Sequence, residues 1–461
     1  MTAAGPAALF HSCSLAAWLI VFPHPSSIAT AAEERIRILD EQVDSFQARI
    51  ELIDSATHTL DLAYYSWKRD ESGMRVFRAI KEAADRGVRI RFVIDGISSL
   101  LPPEAWQWME EEPGIAFRFF QPRRLGTTGN LHYRLHDKLI IADSRRVITG
   151  GRNIGNDYFD PQFSLPYADR DVLWEGGAVQ HAADYYDLLW SRSNTLTRSE
   201  WLRGSFTTPT TQGNVAAWSQ GQAREDWRRK REMFGGDAEQ AKMPAFARVE
   251  AARSRWHSVA EGNIRFVHDH FPKTDPDNHT SATELYQLFQ SARRELVVQS
   301  PYVIPTRRLL NVISGLRNRG VRIVVYTNNL SSTRNLLAQA GMIETEEELL
   351  RAGVEILKYS GPRSMHAKSF VIDRRIGIVG SFNLDPRSEM LNTESFVAVE
   401  SESFAKELLL HIRRHEVGYH AVSAGQSKSL SGMLVVDPEA GLKNFPMPLL
   451  RALSPLYRKR L

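Results

Sequence analysis

The feature of this sequence that most constrains its fold is an internal duplication. Three short patterns occur twice, in the same order and roughly 230 residues apart. The paired copies begin at Leu52 and Leu288, at Asp85 and Asn318, and at His136 and His366. Self-similarity at a nearly fixed offset indicates repeated structural units, and 461 residues are enough for two or three domains. The sequence therefore predicts two similar halves.

The second pattern predicts a helix followed by a strand in each half. In the first half the helix runs from Met74 to Asp85 and ends at Gly87, because glycine readily adopts the left-handed conformation that closes many helices. The segment from Val88 to Ile94 is rich in β-branched residues and predicts a strand. Helices that alternate with strands indicate an α/β layered fold.

The positions of the copies divide the chain into five parts. Residues 1–35 are predicted to be an apolar leader, which is a signal peptide or an anchor. Residues 36–195 form the first domain and residues 281–415 the second. Between them, 196–280 is a connector that is partly helical and partly loop, and 416–461 is a basic amphipathic tail.

Both ends of the chain allow more than one interpretation. The apolar run at 7–22 is shorter than the roughly 20 residues that span a bilayer. Ala29-Thr30-Ala31 is similar to a signal-peptidase site, but no positive segment precedes the run. The leader is therefore cleaved on export, an anchor, or the product of a start codon upstream of the natural one. The tail at 438–461 lies on an anionic membrane interface or packs on its own domain.

The charge of the chain indicates a class of partner, and its cysteine content excludes two kinds of structural site. The chain has 58 Lys and Arg against 54 Asp and Glu, a net charge of +4. This mild excess suits an anionic partner such as a phosphate ester, and it is too small to require nucleic acid. Cys13 is the only cysteine, which excludes an intrachain disulfide and a zinc site built from cysteines.

The third pattern carries the chemistry. It reads His-x-Lys-x4-Asp, and an asparagine stands 17 positions after each histidine. Residues i and i+2 of a strand point to one face, so His136 shares a face with Lys138, as does His366 with Lys368. If the halves pack about a pseudo-twofold axis, both pairs enter one cleft and form a receptor for a phosphodiester. The candidate phosphate-binding residues beside them are Gly151, Asn153, Ser381 and Asn383.

Two histidines in one cleft can divide the work of phosphoryl transfer. The ordinary pKa of imidazole is about 6.5, so one ring can be a neutral nucleophile while the other protonates the leaving alcohol. Lysine ammonium groups suit the charge that develops on the phosphoryl oxygens. Such a site needs no metal.

With both motifs and both asparagines in place, the chain resembles the phospholipase D superfamily. The resemblance implies two similar α/β/α domains related by pseudo-twofold symmetry, with a composite active site at their interface. It also implies a covalent phosphohistidine, favours His136 as the nucleophile, and implies no metal or other cofactor. Asp143 and Asp373 are structural in this family.

The same resemblance implies an acidic residue that accepts the Nδ1 proton of each histidine. In the second half Glu394 stands where similar proteins place it. In the first half the candidate is Asp171, and Asp169 is its competitor. An insertion rich in proline and aromatic residues separates both of them from the motif.

The run from Gly380 to Glu394 (GSFNLDPRSEMLNTE) resembles bacterial cardiolipin synthases, most closely the C-type. This resemblance implies transfer of a phosphatidyl group from phosphatidylethanolamine or phosphatidylglycerol to phosphatidylglycerol, at the surface of the bacterial cytoplasmic membrane. Export remains an alternative because of the apolar leader. No nucleic-acid partner is expected.

Three other interpretations use the same residues or neighbouring ones. A phospholipase D would hydrolyse the phosphohistidine with water and release phosphatidic acid. A nuclease is disfavoured by the small basic excess, and a non-enzymatic membrane module by the two intact motif sets. A zinc site at His132 and His136, or around His268, is disfavoured by strand context and by the lack of a third nearby ligand.

Overall fold

The computed structural model describes residues 33–120, 132–200, 221–249, 251–270, 273, 280–414 and 418–422. These residues form two similar halves, each built on one large mixed β-sheet. The strands are β1 (Glu33–Leu39), β2 (Thr59–Tyr64), β3 (Arg89–Asp95), β4 (Ile115–Phe120), β5 (Lys138–Ala142), β6 (Arg146–Gly150), β7 (Tyr167–Ala168), β8 (Asp171–Glu175), β9 (Thr195–Leu196), β10 (His257–Ala260), β11 (Ile264–His268), β12 (Glu295–Gln299), β13 (Arg322–Asn328), β14 (Glu355–Tyr359), β15 (Ser364–Met365), β16 (Lys368–Ile372), β17 (Ile376–Gly380), β18 (Ser395–Glu400) and β19 (Tyr419–Ala421). The helices are α1 (Gln42–Asp54), α2 (Glu71–Asp85), α3 (Pro103–Glu111), α4 (Asn156–Phe159), α5 (Val179–Ser191), α6 (Gly221–Gln240), α7 (Thr280–Gln290), α8 (Arg307–Asn318), α9 (Leu336–Arg351), α10 (Pro386–Met390) and α11 (Glu402–Arg413).

The two sheets have the same central strand order. The first runs β10-β1-β8-β6-β5-β2-β3-β4-β9, and the second runs β11-β18-β17-β16-β12-β13-β14-β19. In each sheet three consecutive strands are parallel, namely β2, β3 and β4 or β12, β13 and β14. The other pairs within these two sheets are antiparallel. The predicted pair of similar α/β halves is confirmed.

The helix and strand predicted around Gly87 are also confirmed. Helix α2 starts after Asp70, whose side chain accepts a hydrogen bond from Gly73 N at 3.0 Å. It ends at Asp85, and Gly87 follows with φ +88°. A side chain at this φ would be strained, which explains the glycine. Strand β3 then begins at Arg89.

Three apolar clusters hold the layers together. One lies between the first sheet and helices α1, α2, α3 and α6, and another lies between the second sheet and α7, α8 and α9. The third joins the inner faces of both sheets and includes Val147 and Val172 of the first half with Val379 and Val397 of the second. Because the shared cluster is apolar and buried, it fixes the two sheets against each other.

The segment between the halves does more than connect them. It contains helix α6, and it also supplies β10 to the first sheet and β11 to the second. Residues 1–32 of the predicted leader and most of the predicted tail lie outside the described residues. Glu33, Glu34 and Arg35, which were predicted to end the leader, belong instead to strand β1. Strand β19, at the start of that tail, pairs with β14. None of the helices in the described part of the chain is long and apolar enough to span a bilayer.

Candidate active site

Each His-x-Lys pair lies where a central strand begins. Strand β5 starts at Lys138 and β16 starts at Lys368, so each histidine stands just before its strand. Lys138 lies opposite Tyr64, the last residue of β2, and Ser369 lies opposite Gln299, the last residue of β12. Each motif therefore shares one edge of its sheet with the carboxyl ends of the parallel strands.

Backbone pairing between the halves brings the two motifs together. His136 N donates to Thr393 O at 3.2 Å, and in the other half His366 N donates to Ala168 O at 2.7 Å. The short strands β7 and β15 pair in parallel beside the second of these bonds, and Leu135 bridges Thr393 beside the first. Each half thus supplies the segment that fixes the histidine of the other, and the two motifs meet at the interface.

Each histidine is also held by a carboxylate from the other half. His136 Nδ1 lies 2.9 Å from Glu394 Oε2, and His366 Nδ1 lies 2.6 Å from Asp169 Oδ2. Both carboxylates are buried. A ring that donates its Nδ1–H to a carboxylate has a free lone pair on Nε2. This arrangement gives each imidazole one nitrogen that can attack phosphorus or exchange a proton.

The prediction that Asp171 orients a histidine is wrong in this geometry, because Asp169 occupies that position. Asp171 Oδ2 instead lies 2.9 Å from Arg49 Nη2 and 3.0 Å from Arg152 Nη1. All three side chains are buried in the first half. The Asp171 carboxylate therefore pairs with two guanidinium groups in the protein interior.

The strand register contains the signal that identifies Asp169. Gly150 lies opposite Asp171 in the first sheet, and Gly380 lies opposite Phe396 in the second. Asp169 and Glu394 each stand two residues before the partner of the equivalent glycine. Alignment of the apolar strands that follow them would have given the same answer from the sequence.

The two lysines are almost fully buried at the site. Lys138 is 1% exposed and Lys368 is fully buried. Lys138 Nζ donates to His136 O and lies 5.3 Å from the centre of the Tyr65 ring. Lys368 Nζ donates to His366 O and lies 3.1 Å from His366 Nε2. Lys368 Nζ is therefore close to the nitrogen of His366 that would contact phosphorus, and Lys138 Nζ lies between the His136 backbone and the Tyr65 ring.

The four predicted phosphate-binding residues fall into two pairs. Asn153 accepts from Ser66 N at 3.2 Å and donates to Tyr158 Oη at 2.9 Å. Asn383 Oδ1 is buried and accepts no hydrogen bond from the described residues. Asn153 and Asn383 each stand three residues after the strand that pairs with the motif strand, β6 and β17 respectively.

Ser381 and Gly151 contact the orienting acids. Ser381 Oγ donates to Glu394 Oε2 at 2.5 Å. At the equivalent position Gly151 has no side chain, and a Cβ there would lie 2.1 Å from Asp169 Oδ1. The serine hydroxyl supports one carboxylate, and the glycine leaves room for the other.

The motif aspartates lie at the far ends of the strands. Asp143 accepts hydrogen bonds from the backbone N–H groups of Thr57, His58 and Thr59, at 2.7 to 2.9 Å. Asp373 binds the N–H groups at the start of β12 in the same way. Partial burial opposes ionisation, yet these bonds lower the pKa of Asp143 to about 2 and also lower that of Asp373. Both carboxylates therefore stabilise the backbone at sites that are distant from the histidines.

Several residues at the site were not predicted as part of it. The Tyr65 ring lies 5.0 Å from that of His136, and the Tyr167 ring lies 4.9 Å from that of His366. Asp137 is buried beside His136 and accepts from Tyr185 Oη at 2.8 Å and from Thr393 Oγ1 at 2.5 Å. Tyr65 follows β2, so its place at a strand end was a signal in the sequence, whereas the contacts of Asp137 depend on the other half.

Burial and mutual repulsion lower the pKa values of the four basic groups at the site. Burial and the charges of Lys138 and Lys368 hold the pKa of His136 well below its ordinary value. Burial and Lys368 lower the pKa of His366 to about 4. Burial lowers the pKa of Lys138 to about 7 and that of Lys368 to about 8. An anionic phosphate would favour the protonated forms of all four groups.

The two acids differ in their electrostatic surroundings. Burial opposes ionisation of Asp169, but the charges of His366 and Lys368 outweigh it and hold the pKa of Asp169 well below its ordinary value. Burial raises the pKa of Glu394, and Lys138 offsets this only in part. The His366–Asp169 pair therefore stabilises a protonated imidazole better than the His136–Glu394 pair does.

Comparison with known proteins identifies the same two regions. The family model described as "Cardiolipin synthase, PLD-like domain" matches residues 49–182 and 285–415. Cardiolipin synthase C of Escherichia coli (strain K12) is 28% identical over 403 residues, which cover 80% of this chain and 82% of that protein. Cardiolipin synthase B of the same strain is 25% identical over 381 residues, which cover 81% of this chain and 78% of that protein.

A solved structure shows the same overall fold. The crystal structure of phosphatidylserine synthase from Haemophilus influenzae Rd KW20 superposes with a TM-score of 0.61 and covers 92% of this chain and 95% of its own. The sequences are 16% identical. At that identity the likeness concerns the fold.

Proposed function

The chain belongs to the phospholipase D-like cardiolipin synthase family, and from this premise we propose that it joins two phospholipids into cardiolipin. In the proposed reaction a phosphatidyl group passes from phosphatidylethanolamine or phosphatidylglycerol to phosphatidylglycerol. The observation that carries the proposal is the paired site, in which two His-Lys sets meet and each histidine is held by an acid of the other half. The names of the relatives support this substrate class.

The first half-reaction forms a phosphohistidine. His136 Nε2 attacks the donor phosphorus, and the bond from phosphorus to the head-group oxygen breaks. His366 gives its proton to that oxygen, so the alcohol leaves neutral. The low pKa of His136 favours the neutral nucleophile, and the ionised Asp169 stabilises the imidazolium of His366.

The second half-reaction reverses these roles. A terminal hydroxyl of phosphatidylglycerol attacks phosphorus, its proton passes to His366 Nε2, and the P–N bond to His136 breaks. Lys138 and Lys368 balance the charge on the phosphoryl oxygens in both steps. We expect the side-chain amide of Asn383 to donate a hydrogen bond from Nδ2 to a phosphoryl oxygen.

The same site would act on a membrane surface. Asp95, at the end of β3, accepts from Leu135 N at 3.0 Å, and Asn328, at the end of β13, accepts from Met365 N at 2.8 Å. The loops after these strands are therefore tied to the residues just before the histidines. Ile97, Leu100 and Leu337 lie after these strands and are 43%, 61% and 45% exposed. These apolar side chains suit the surface of a phospholipid bilayer.

A lipid assay with labelled donor tests the proposed reaction. Purified enzyme is given vesicles of phosphatidylethanolamine and phosphatidylglycerol, with the phosphatidyl group of one lipid labelled in turn, in the presence of EDTA. We expect labelled cardiolipin, and activity retained in the chelator. Labelled phosphatidic acid as the main product would instead identify a phospholipase D, because water would have replaced the lipid acceptor.

A further inference from the structure

Two cations from opposite halves share one carboxylate at the edge of the site. Lys68 Nζ lies 2.7 Å from Asp157 Oδ2, and Arg334 Nη1 lies 3.1 Å from the same oxygen. Lys68 and Asp157 belong to the first half, and Arg334 stands between β13 and α9 in the second. The Asp157 side chain is 3% exposed, whereas Lys68 and Arg334 are 30% and 27% exposed. The cations are thus accessible, and their shared carboxylate is not.

Aromatic rings connect this cation pair to the active site. The Arg334 guanidinium carbon lies 4.6 Å from the centre of the Tyr167 ring, and that ring lies 4.9 Å from the ring of His366. Tyr158 stacks on Tyr167 at 4.6 Å. Arg334 and His366 therefore contact the same aromatic ring.

Two carboxylates accompany the two cations. Asp157 contacts both cations, and Asp70 lies near Lys68. Its two oxygens accept from Gly73 N at 3.0 Å and Asn156 N at 2.7 Å, which places them against backbone donors. Because the Asp70 oxygens bind backbone N–H groups, the partly exposed donors that an anion would meet are those of Lys68 and Arg334.

We propose that Lys68 and Arg334 form a second phosphate subsite, which binds the phosphate of the acceptor lipid that does not react. The inference rests on the proposed function, because only an acceptor that is itself a phosphodiester carries such a group. In phosphatidylglycerol the attacking hydroxyl and the phosphate ester are carried by the two ends of one head-group glycerol. The acceptor phosphate must therefore lie within one glycerol length of the phosphohistidine.

The subsite explains how a lipid acceptor competes with water. When its phosphate binds Lys68 and Arg334, its terminal hydroxyl is held near the phosphorus on His136. The hydroxyl oxygen then forms the new P–O bond, its proton goes to His366, and the P–N bond breaks with its electron pair returning to His136. The second phosphate changes no bond. Water lacks this anchor, so the subsite favours transfer over hydrolysis.

Neutral variants of the two cations test the proposal. Lys68→Gln and Arg334→Gln should each raise the KM for phosphatidylglycerol about 10-fold, as expected for a lost charge-assisted hydrogen bond. They should also increase the ratio of phosphatidic acid to cardiolipin. Transfer to ethanol, an acceptor without phosphate, should keep its KM. Lys68→Arg and Arg334→Lys, which retain the charge, should restore most of the affinity.

The controls separate this subsite from a purely structural ion pair. If both acceptors lose activity equally, or if the neutral variants change only thermal stability, the subsite is refuted. The lipid products of the unaltered enzyme test the proposed function separately. If that enzyme makes cardiolipin and the variants keep its KM for phosphatidylglycerol, the subsite alone fails. If the unaltered enzyme makes no cardiolipin, the proposed function fails and the subsite fails with it.

Discussion

Asp169 and Asp171 are two residues apart and both buried, but they bind different partners. Asp169 contacts His366, and Asp171 contacts Arg49 and Arg152. The first arrangement supports an imidazolium during catalysis, and the second supports the folded chain. Substitution by asparagine keeps the shape of each side chain and removes its charge, so it distinguishes the two roles.

Asp169→Asn should lower kcat about 10²- to 10⁴-fold, the usual contribution of acid–base catalysis. Asp171→Asn should instead lower the free energy of unfolding by about 3–5 kcal/mol, because it leaves buried guanidinium groups without their carboxylate. Lipid kinetics and urea unfolding of both variants measure the two effects. Loss of kcat in a fully stable Asp171→Asn, with a normal Asp169→Asn, would reverse the assignment.

The lowered pKa of His366 predicts a pH-dependent stability. Its pKa is about 4 in the folded chain and about 6.5 in an unfolded one. Between these values the unfolded chain binds a proton that the folded chain does not, so the free energy of unfolding falls as the pH falls. The contribution is complete above about pH 6.5.

Urea unfolding at several pH values between 4 and 6.5 measures this effect. His366→Gln should flatten the decline, and His58→Gln, at an exposed position, controls for the replacement of a histidine. An unchanged slope in His366→Gln would show that this ring is not held neutral by the fold.

Among the elements, the shortest ones do the most to assemble the site. Strands β7 and β15 have two residues each, and together with the bridge from Leu135 to Thr393 they join the halves beside the histidines. Two residues are too few for any periodic pattern, so these elements could not be predicted. The longer helix and strand around Gly87 could be, because glycine and β-branched residues determine local structure.

Thr393→Val tests this junction. The Thr393 hydroxyl donates to Asp137, whose carboxylate is buried. Removing the hydroxyl should lower the free energy of unfolding by about 1–3 kcal/mol, because a buried acceptor loses a donor. It should also slow turnover, since His136 N binds the carbonyl of the same residue. Ser258→Ala, which removes an exposed hydroxyl on β10, should change stability by less than about 0.5 kcal/mol. An equal effect of both variants would contradict the role of Thr393.

For the whole molecule, the duplication predicted the two halves and the shared site, because equal offsets place equal residues at equal points of a repeated fold. The spacing within each half did not predict that the acids cross over. Glu394 lies against His136 and Asp169 against His366, and that exchange depends on how the sheets pack. The strands that the connector supplies to both sheets also depend on how the sheets pack, so the spacing did not predict them.

Binding to a membrane surface is also a property of the whole molecule. Leu100→Asp and Leu337→Asp together should weaken binding to anionic vesicles at least about 10-fold, since each buried leucine contributes about 1.5–3 kcal/mol. Activity on a water-soluble short-chain donor should be retained. Leu188→Asp is a matched control, because Leu188 is 47% exposed and its neighbour Asp187 pairs with Arg91 near the opposite end of β3. Vesicle flotation measures binding; equal loss in the control would contradict the assignment of this surface.

The central claim is that His136 carries the phosphatidyl group while His366 moves the proton. Phosphatidyl-p-nitrophenol tests it most directly, because its leaving group needs no proton from the enzyme. His366→Asn should accumulate a phosphatidyl adduct on His136, detectable by mass spectrometry of peptides at neutral pH, and His136→Asn should form none. An adduct on His366 in the His136→Asn variant, or full turnover by either variant, would contradict the account.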